Sequence, residues 1–218
     1  MKIRTPELTD ELSAILIPLT DLVADAGLDG LQITDVICEE QEYDAHDFSR
    51  LFFRGVVFRG CRFSGCSFQG TEFSDVIFEN CDFSNSHFEN CYMTRCRIAG
   101  SKFTGAVMEK ASLTHVVIAN SLFPYFSCDV STWKYCRIEK SDFHGSSIYQ
   151  AKVSFWEPVS VDFTETIFLG TLLKGVDLSS CTLDRASFSD NFRELKGAVL
   201  NRDQAAELAR VFGIKLAD

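Results

Sequence analysis

Phenylalanine returns at every fifth position from Phe48 to Phe88 without a slip. The phase continues through Met93, Ile98, Phe103, Met108, Leu113, Ile118 and Phe123, passes Cys128 and Pro158, and ends at Phe188. Of the 30 slots from Tyr43 to Phe188, 28 hold a large apolar or aromatic residue, and 15 of the 20 phenylalanines of the chain lie on this phase. Chance would place about four there, so the period organises the chain.

Two more columns share the period. The residue two before each centre is Ala, Cys, Ser, Thr or Val in 25 of the 30 slots. The residue two after it is Gly at 55, 60, 65, 70, 100, 105, 145, 170 and 175. Five is neither a helical nor a strand period. It resolves into an extended trio plus a two-residue corner. Residues two apart on an extended chain face the same way, so the small and large columns point inward together and the residue between them points out. The corner demands φ values that glycine tolerates. Repeated turning of one hand gives a coil, and stacked coils are spaced by ~4.8 Å. Bulky centres beside slight neighbours allow the layers to interdigitate.

The 218 residues carry 46% hydrophobic and 24% charged side chains, which fits a globular chain and excludes wholesale disorder. No apolar run reaches the ~18 residues of a membrane span, so no membrane role is expected. The start, Met1 to Glu7, lacks the apolar core of a secretion signal. A net charge of −10 argues against direct nucleic-acid binding. All nine cysteines lie on the inward columns, Cys38 and Cys128 among the centres and seven among the small residues. They are expected as buried, reduced small hydrophobes in a cytoplasmic protein, with no metal and no disulfide. His46 falls on the small column, whereas His87, His115 and His144 face outward at different offsets. No nucleophile, base and orienting acid converge, and no phosphate loop is present, so neither an enzyme activity nor a cofactor is expected.

The period breaks at both ends, which divides the chain into 1–32, 33–192 and 193–218. In the first segment Thr5-Pro6-Glu7 reads as a helix start, followed by apolar residues at Leu8, Leu12, Ile15, Leu16, Leu19, Leu22 and Val23. A helical cap over the first coil is expected, kinked or split at Pro18. In the last segment Asn201-Arg202-Asp203-Gln204 starts a short helix through Phe212, with Leu208, Val211 and Phe212 as an apolar patch.

The run Cys61-Arg62-Phe63-Ser64-Gly65, Cys66-Ser67-Phe68-Gln69-Gly70 and Cys81-Asp82-Phe83-Ser84-Asn85 resembles the pentapeptide-repeat proteins. The resemblance implies an all-β, right-handed quadrilateral β-helix with four pentapeptides per coil. The tail Gly197-Ala198-Val199-Leu200 with Gln204, Ala205, Leu208 and Ile214 resembles the quinolone-resistance (Qnr) branch. That likeness implies a homodimer through the C-terminal helix and DNA mimicry towards DNA gyrase or topoisomerase IV. The uninterrupted count resembles the branch members that lack loops.

Four pentapeptides per coil also sort the outward residues onto four faces. The first, around Phe63 and Phe83, sums to −4 over residues 42–190, the second to −3, the third, around Phe73 and Trp133, to +3, and the fourth balances. The partner-binding candidates are the first-face acids Asp44, Asp82, Asp142, Asp162 and Glu165. Phe126 and Trp156 occupy small-column slots, where the large and small columns swap, and are candidate recognition irregularities. The alternative function is a protein-interaction scaffold or regulator unrelated to topoisomerase.

Overall fold

The computed structural model describes residues 2–9, 13–14, 18–26, 32–211 and 215. The expected Leu12, Ile15 and Leu16 of the N-terminal stripe, and Phe212 of the C-terminal patch, lie outside them.

The chain winds as a solenoid of parallel strands. Every strand ladder from Gln32 onward joins residues twenty apart, as in Phe53 with Phe73, Met93 with Leu113 and Trp133 with Val153. That offset establishes four pentapeptides per coil. Two faces carry continuous strand ladders, which merge at Thr132–Glu139 and Lys152–Val159, where the strand runs around a corner. The other two faces, with centres such as Phe83 and Phe88, are joined by single bridges such as Asp82 with Lys102 and His87 with Val107.

Every corner position from 35 to 175 has positive φ. On the bridged faces the corner is a hydrogen-bonded turn, in which the N–H of Ser86 donates to the carbonyl of Phe83 at 3.1 Å. Positive φ at the third residue is what a type II turn requires. Asn80, Asn85, Asn90 and Asn120 tolerate it. Val130, with φ 58, is β-branched and does not. On the fourth face the turn bond is missing, and the small column compensates. The N–H groups of Cys81, Ser101 and Ser121 donate to the hydroxyls of Ser101, Ser121 and Ser141, one coil further along, at 3.0–3.2 Å. Serine in a buried column is thus explained by the donors it satisfies.

The core is a set of aromatic stacks. Phe63, Phe83, Phe103, Phe123 and Phe143 lie face to face with centroids 4.6–5.0 Å apart. Neighbouring stacks meet edge-on, as Phe78 meets Phe83 at 86°. Both geometries suit the ring quadrupole. All nine cysteines are buried and unbridged.

The N-terminal end differs from expectation in two respects. Residues 2–9 are not helical. They run along the outside of the rod, down the corner between the third and fourth faces. The Arg4 N–H donates to His115 Nδ1 at 3.3 Å, the Glu7 N–H to Asp75 Oδ1 at 3.0 Å, and the Thr9 hydroxyl to Asp35 Oδ1 at 3.4 Å. Ser13–Ala14 then adds a strand to Val36 and Ile37 at the base. Helix α1, Leu19–Ala26, begins directly after Pro18, so the proline starts the helix rather than kinking it. Its Leu19 and Val23 are buried against the first coil, and the Leu19 N–H donates to the Tyr43 hydroxyl at 2.5 Å. Among the described residues, the cap is therefore one short helix, preceded by an extended arm.

At the far end Glu194 closes the solenoid. Its fully buried carboxylate accepts from the N–H of Gly170, the N–H of Ser189 and the Ser189 hydroxyl. Helix α2, Arg202–Val211, starts with a reciprocal cap: Asn201 Oδ1 accepts from the Gln204 N–H, and Gln204 Oε1 from the Asn201 N–H. The Gln204 amide also donates to the carbonyls of Leu178 and Cys181, which pins the helix to the last coil.

Candidate partner-binding surfaces

The outward residue before each centre stacks with its equivalents to form a column along the rod. On the first face this column reads Glu42, Arg62, Asp82, Lys102, Leu122, Asp142 and Asp162, each bridged to the next. Asp82 thus sits between Arg62 and Lys102, and its charge is locally compensated. Only Asp142 and Asp162 are consecutive. Glu165 lies at the adjoining corner, paired with Arg185 at 2.7 Å and with His144 at 3.6 Å. Asp44 is exposed near the base. The five sequence candidates therefore do not form one strip.

Three of these carboxylates also build corners. Asp82 Oδ1 accepts the Ser84 N–H at 3.0 Å, Asp142 Oδ1 the His144 N–H at 2.8 Å, and Asp162 Oδ1 the Thr164 N–H at 2.9 Å. These are Asx turns, in which a short polar side chain ties down its own corner. An acid at this position has a structural reason as well as a surface charge.

The most continuous acidic column lies on the second face: Glu89, Glu109 and Asp129 on three successive coils. The Asn90 N–H donates to the Glu109 carbonyl, and the Lys110 N–H to that of Asp129, both at 2.9 Å, which fixes the stacking. Aligning this face position by position at intervals of twenty would have revealed it; summing charge over the face hid it.

Phe126 and Trp156, the candidate recognition irregularities, are 1% and 4% exposed. Phe126 packs edge-on against Phe123 at 5.1 Å, and Trp156 against Trp133 at 6.4 Å. With Cys128 and Pro158 occupying the centre slots, the swaps conserve core volume.

His115 is buried rather than outward, 8% exposed, beneath the arm. Burial, with Arg4, Arg95 and Lys134 around it, lowers its pKa. Burial opposes the charge on Asp75, but the Arg95 guanidinium wins and holds the carboxyl below its usual value. Arg95 engages both its oxygens, at 2.6 and 2.5 Å. Burial pushes the Cys38, Cys96 and Cys136 thiols up to about 12, so they are inert packing groups.

Among the described residues, no group of three or more His, Cys, Asp or Glu side chains could hold a metal ion, and no helix is long and apolar enough to cross a membrane. Leu208 is half-buried and Val211 is 66% exposed, on a helix with no buried residue. A groove separates that helix from Leu183, Phe188 and Phe192 of the last turns.

Pentapeptide-repeat family descriptions match residues 43–97, 71–151 and 159–190. The chain is a pentapeptide-repeat protein. Among solved structures, a trypsin-treated variant of QnrB1, a plasmid-mediated fluoroquinolone resistance protein, aligns with a TM-score of 0.60 and 22% identity, over 87% of this chain and 98% of that one. That level of identity establishes a shared fold. HetL, a pentapeptide-repeat protein of heterocyst differentiation regulation from Nostoc sp. strain PCC 7120, aligns at 12% identity over 84% and 97% of the two chains, with a TM-score of 0.32. Among curated proteins none matches the chain.

Proposed function

We propose that this pentapeptide-repeat protein is a non-catalytic, cytoplasmic binding rod. Its acidic faces dock in the basic DNA groove of a type II topoisomerase, DNA gyrase or topoisomerase IV, as expected for a relative of the fluoroquinolone-resistance protein QnrB1. The observation that carries this reading is the pair of carboxylate columns on adjoining faces, Asp142 and Asp162 on one and Glu89, Glu109 and Asp129 on the other. Fixed coil spacing holds them on a narrow rod. Complementary fields of this kind speed encounter and set register more than they add affinity. The rod works as a homodimer, with Leu208, Val211 and the adjoining Phe212 burying the exposed side of α2 against a twin chain.

The test is a gyrase assay with a fluoroquinolone. Restored supercoiling at micromolar protein supports the reading, and the absence of any effect on supercoiling or on drug-stabilised cleavage sinks it. The second reading is a scaffold or regulator for some other protein. Its support is Asp82 between Arg62 and Lys102, which breaks the even charge spacing of a duplex. Sedimentation equilibrium tests the dimer separately, with Val211→Asp expected to give monomers.

A further inference from the structure

The third face changes character along the rod. Its outward residues on the last three coils are Thr132, Lys134 and Tyr135, then Lys152, Ser154 and Phe155, then Leu172 and Lys174. No carboxylate is among them. Lys134, Lys152 and Lys174 are exposed and form no ion pair among the described residues, although Lys134 Nζ lies 5.5 Å from the Tyr135 ring centroid. Phe155 is 62% exposed and Leu172 59%. The neighbouring corner adds Val130, Tyr149 and Leu169, at 50%, 38% and 37%. The N–H of Val130 donates to the carbonyl of Tyr149, and that of Gln150 to Leu169, so these residues follow one another up the rod. Unpaired cations beside a contiguous apolar strip mark an interaction surface.

We infer that this end of the third face is a second docking surface, and that its occupant is an extended acidic polypeptide segment bearing aliphatic or aromatic side chains. Two observations fix the occupant. Charge complementarity requires an anion, since three lysines face out with no carboxylate between them. The corner on the other side of this face, between the third and fourth faces, already holds an extended chain lower down: residues 2–9 run along it with main-chain donors to Asp75 and His115. Tyr135 and Phe155 continue that corner beyond the arm, Tyr135 stacked on His115 at 4.9 Å and Phe155 on Tyr135 at 4.6 Å.

A single-stranded nucleic acid fits less well. Base stacking needs open ring faces. Both faces of Tyr135 are taken by His115 and Phe155. Leu169, Leu172 and Val130 offer nothing to a sugar–phosphate chain, and a net charge of −10 repels a polyanion at long range. The third face lies opposite the first, so this surface and the Asp142–Asp162 column can be occupied together. The inference does not depend on gyrase.

The experiment measures fluorescence anisotropy of a labelled twelve-residue peptide in which Glu alternates with Leu and Phe. A Lys-for-Glu version of the peptide and a twelve-nucleotide oligo-dT serve as comparison probes. The acidic peptide is expected to bind at micromolar concentration and to weaken with added salt. Lys152→Glu with Lys174→Glu is expected to weaken binding at least tenfold, and Phe155→Ser several-fold. Asp142→Asn with Asp162→Asn leaves binding unchanged. All these positions are at the surface, and resonance perturbation in the unmodified protein, confined to residues near 134, 152, 155 and 172, gives a check free of variants. Absence of binding, indifference to the lysine and Phe155 changes, or equal displacement by oligo-dT overturns the inference.

Discussion

Single residues carry the corner chemistry of this rod, and one of them is at odds with its site. Val130 adopts φ 58 with a branched Cβ, where the same corner column carries Gly70, Asn90, Lys110, Gln150 and Gly170. Val130→Gly is expected to raise stability by about 1 kcal/mol, read as a higher urea midpoint. The backbone bond from its N–H to Tyr149 survives that change. The thiols give a second residue-scale test. Burial of all nine thiols, with pKa values raised at Cys38, Cys96 and Cys136, predicts that fewer than one of the nine cysteines reacts with a disulfide reagent in the native state at pH 8, and all nine after unfolding. Rapid labelling of several thiols in the native protein would contradict the interior described here. The inward columns were readable because a five-residue spacing leaves no other arrangement in which 15 of the phenylalanines and all nine cysteines face one side. The fate of His115 was not, because its burial comes from residues more than a hundred positions away.

Two elements have pH-dependent holds, of related origin. Glu194 closes the last turn; burial opposes its charge, but bonds from Ser189 and the Gly170 N–H prevail and hold its pKa at about 2. A depressed carboxylate stabilises the fold above its unfolded value, about 4.5, and that contribution fades as the pH falls from there towards 2. Its size is on the order of 2–3 kcal/mol. Glu194→Gln should remove most of this acid dependence and lower stability at pH 7. The arm behaves differently. Folding lowers the pKa of His115, so the released state takes up a proton first as pH falls through about 6.5. Arm docking is therefore complete above that pH and weakens below it. Protonation also removes the Nδ1 acceptor used by the Arg4 N–H and sets a cation among Arg4, Arg95 and Lys134. Exchange of the Arg4 amide, corrected for intrinsic chemistry, should rise below about pH 6.5, and His115→Gln should flatten that profile. The extended arm was misread as helix because Thr5-Pro6-Glu7 and the apolar spacing satisfy helical rules locally. The overriding signal lay on the fourth face, where Val57, Ile77 and Val117 occupy outward slots. Val57 is only 4% exposed despite pointing out, and apolar residues there call for a cover.

At the scale of the whole molecule, charge and architecture must be tested apart. Reversing Asp82, Asp142 and Asp162 would break three Asx turns along with the field. Asn keeps the acceptor oxygen and removes only the charge. Asp142→Asn and Asp162→Asn combined with Glu89→Gln, Glu109→Gln and Asp129→Asn should keep the melting temperature within a few degrees. The same set should weaken gyrase protection at least tenfold, whereas Asp82→Asn alone should do little, since Arg62 and Lys102 already flank it. Protection untouched by the five-fold variant would place the contact elsewhere. The solenoid was legible in the sequence because its rule is local and repeated. The acidic columns were only partly legible, because they depend on which residues twenty apart lie above one another.

Above the arm, the uniform offset of twenty means that each storey rests only on the storeys beneath and above it. Duplicating one of these storeys would lengthen the shaft by ~4.8 Å and leave both end pieces intact. The distance between the basal helix and the terminal helix can therefore be adjusted in fixed increments, as on a measuring gauge, without redesign of any contact in between.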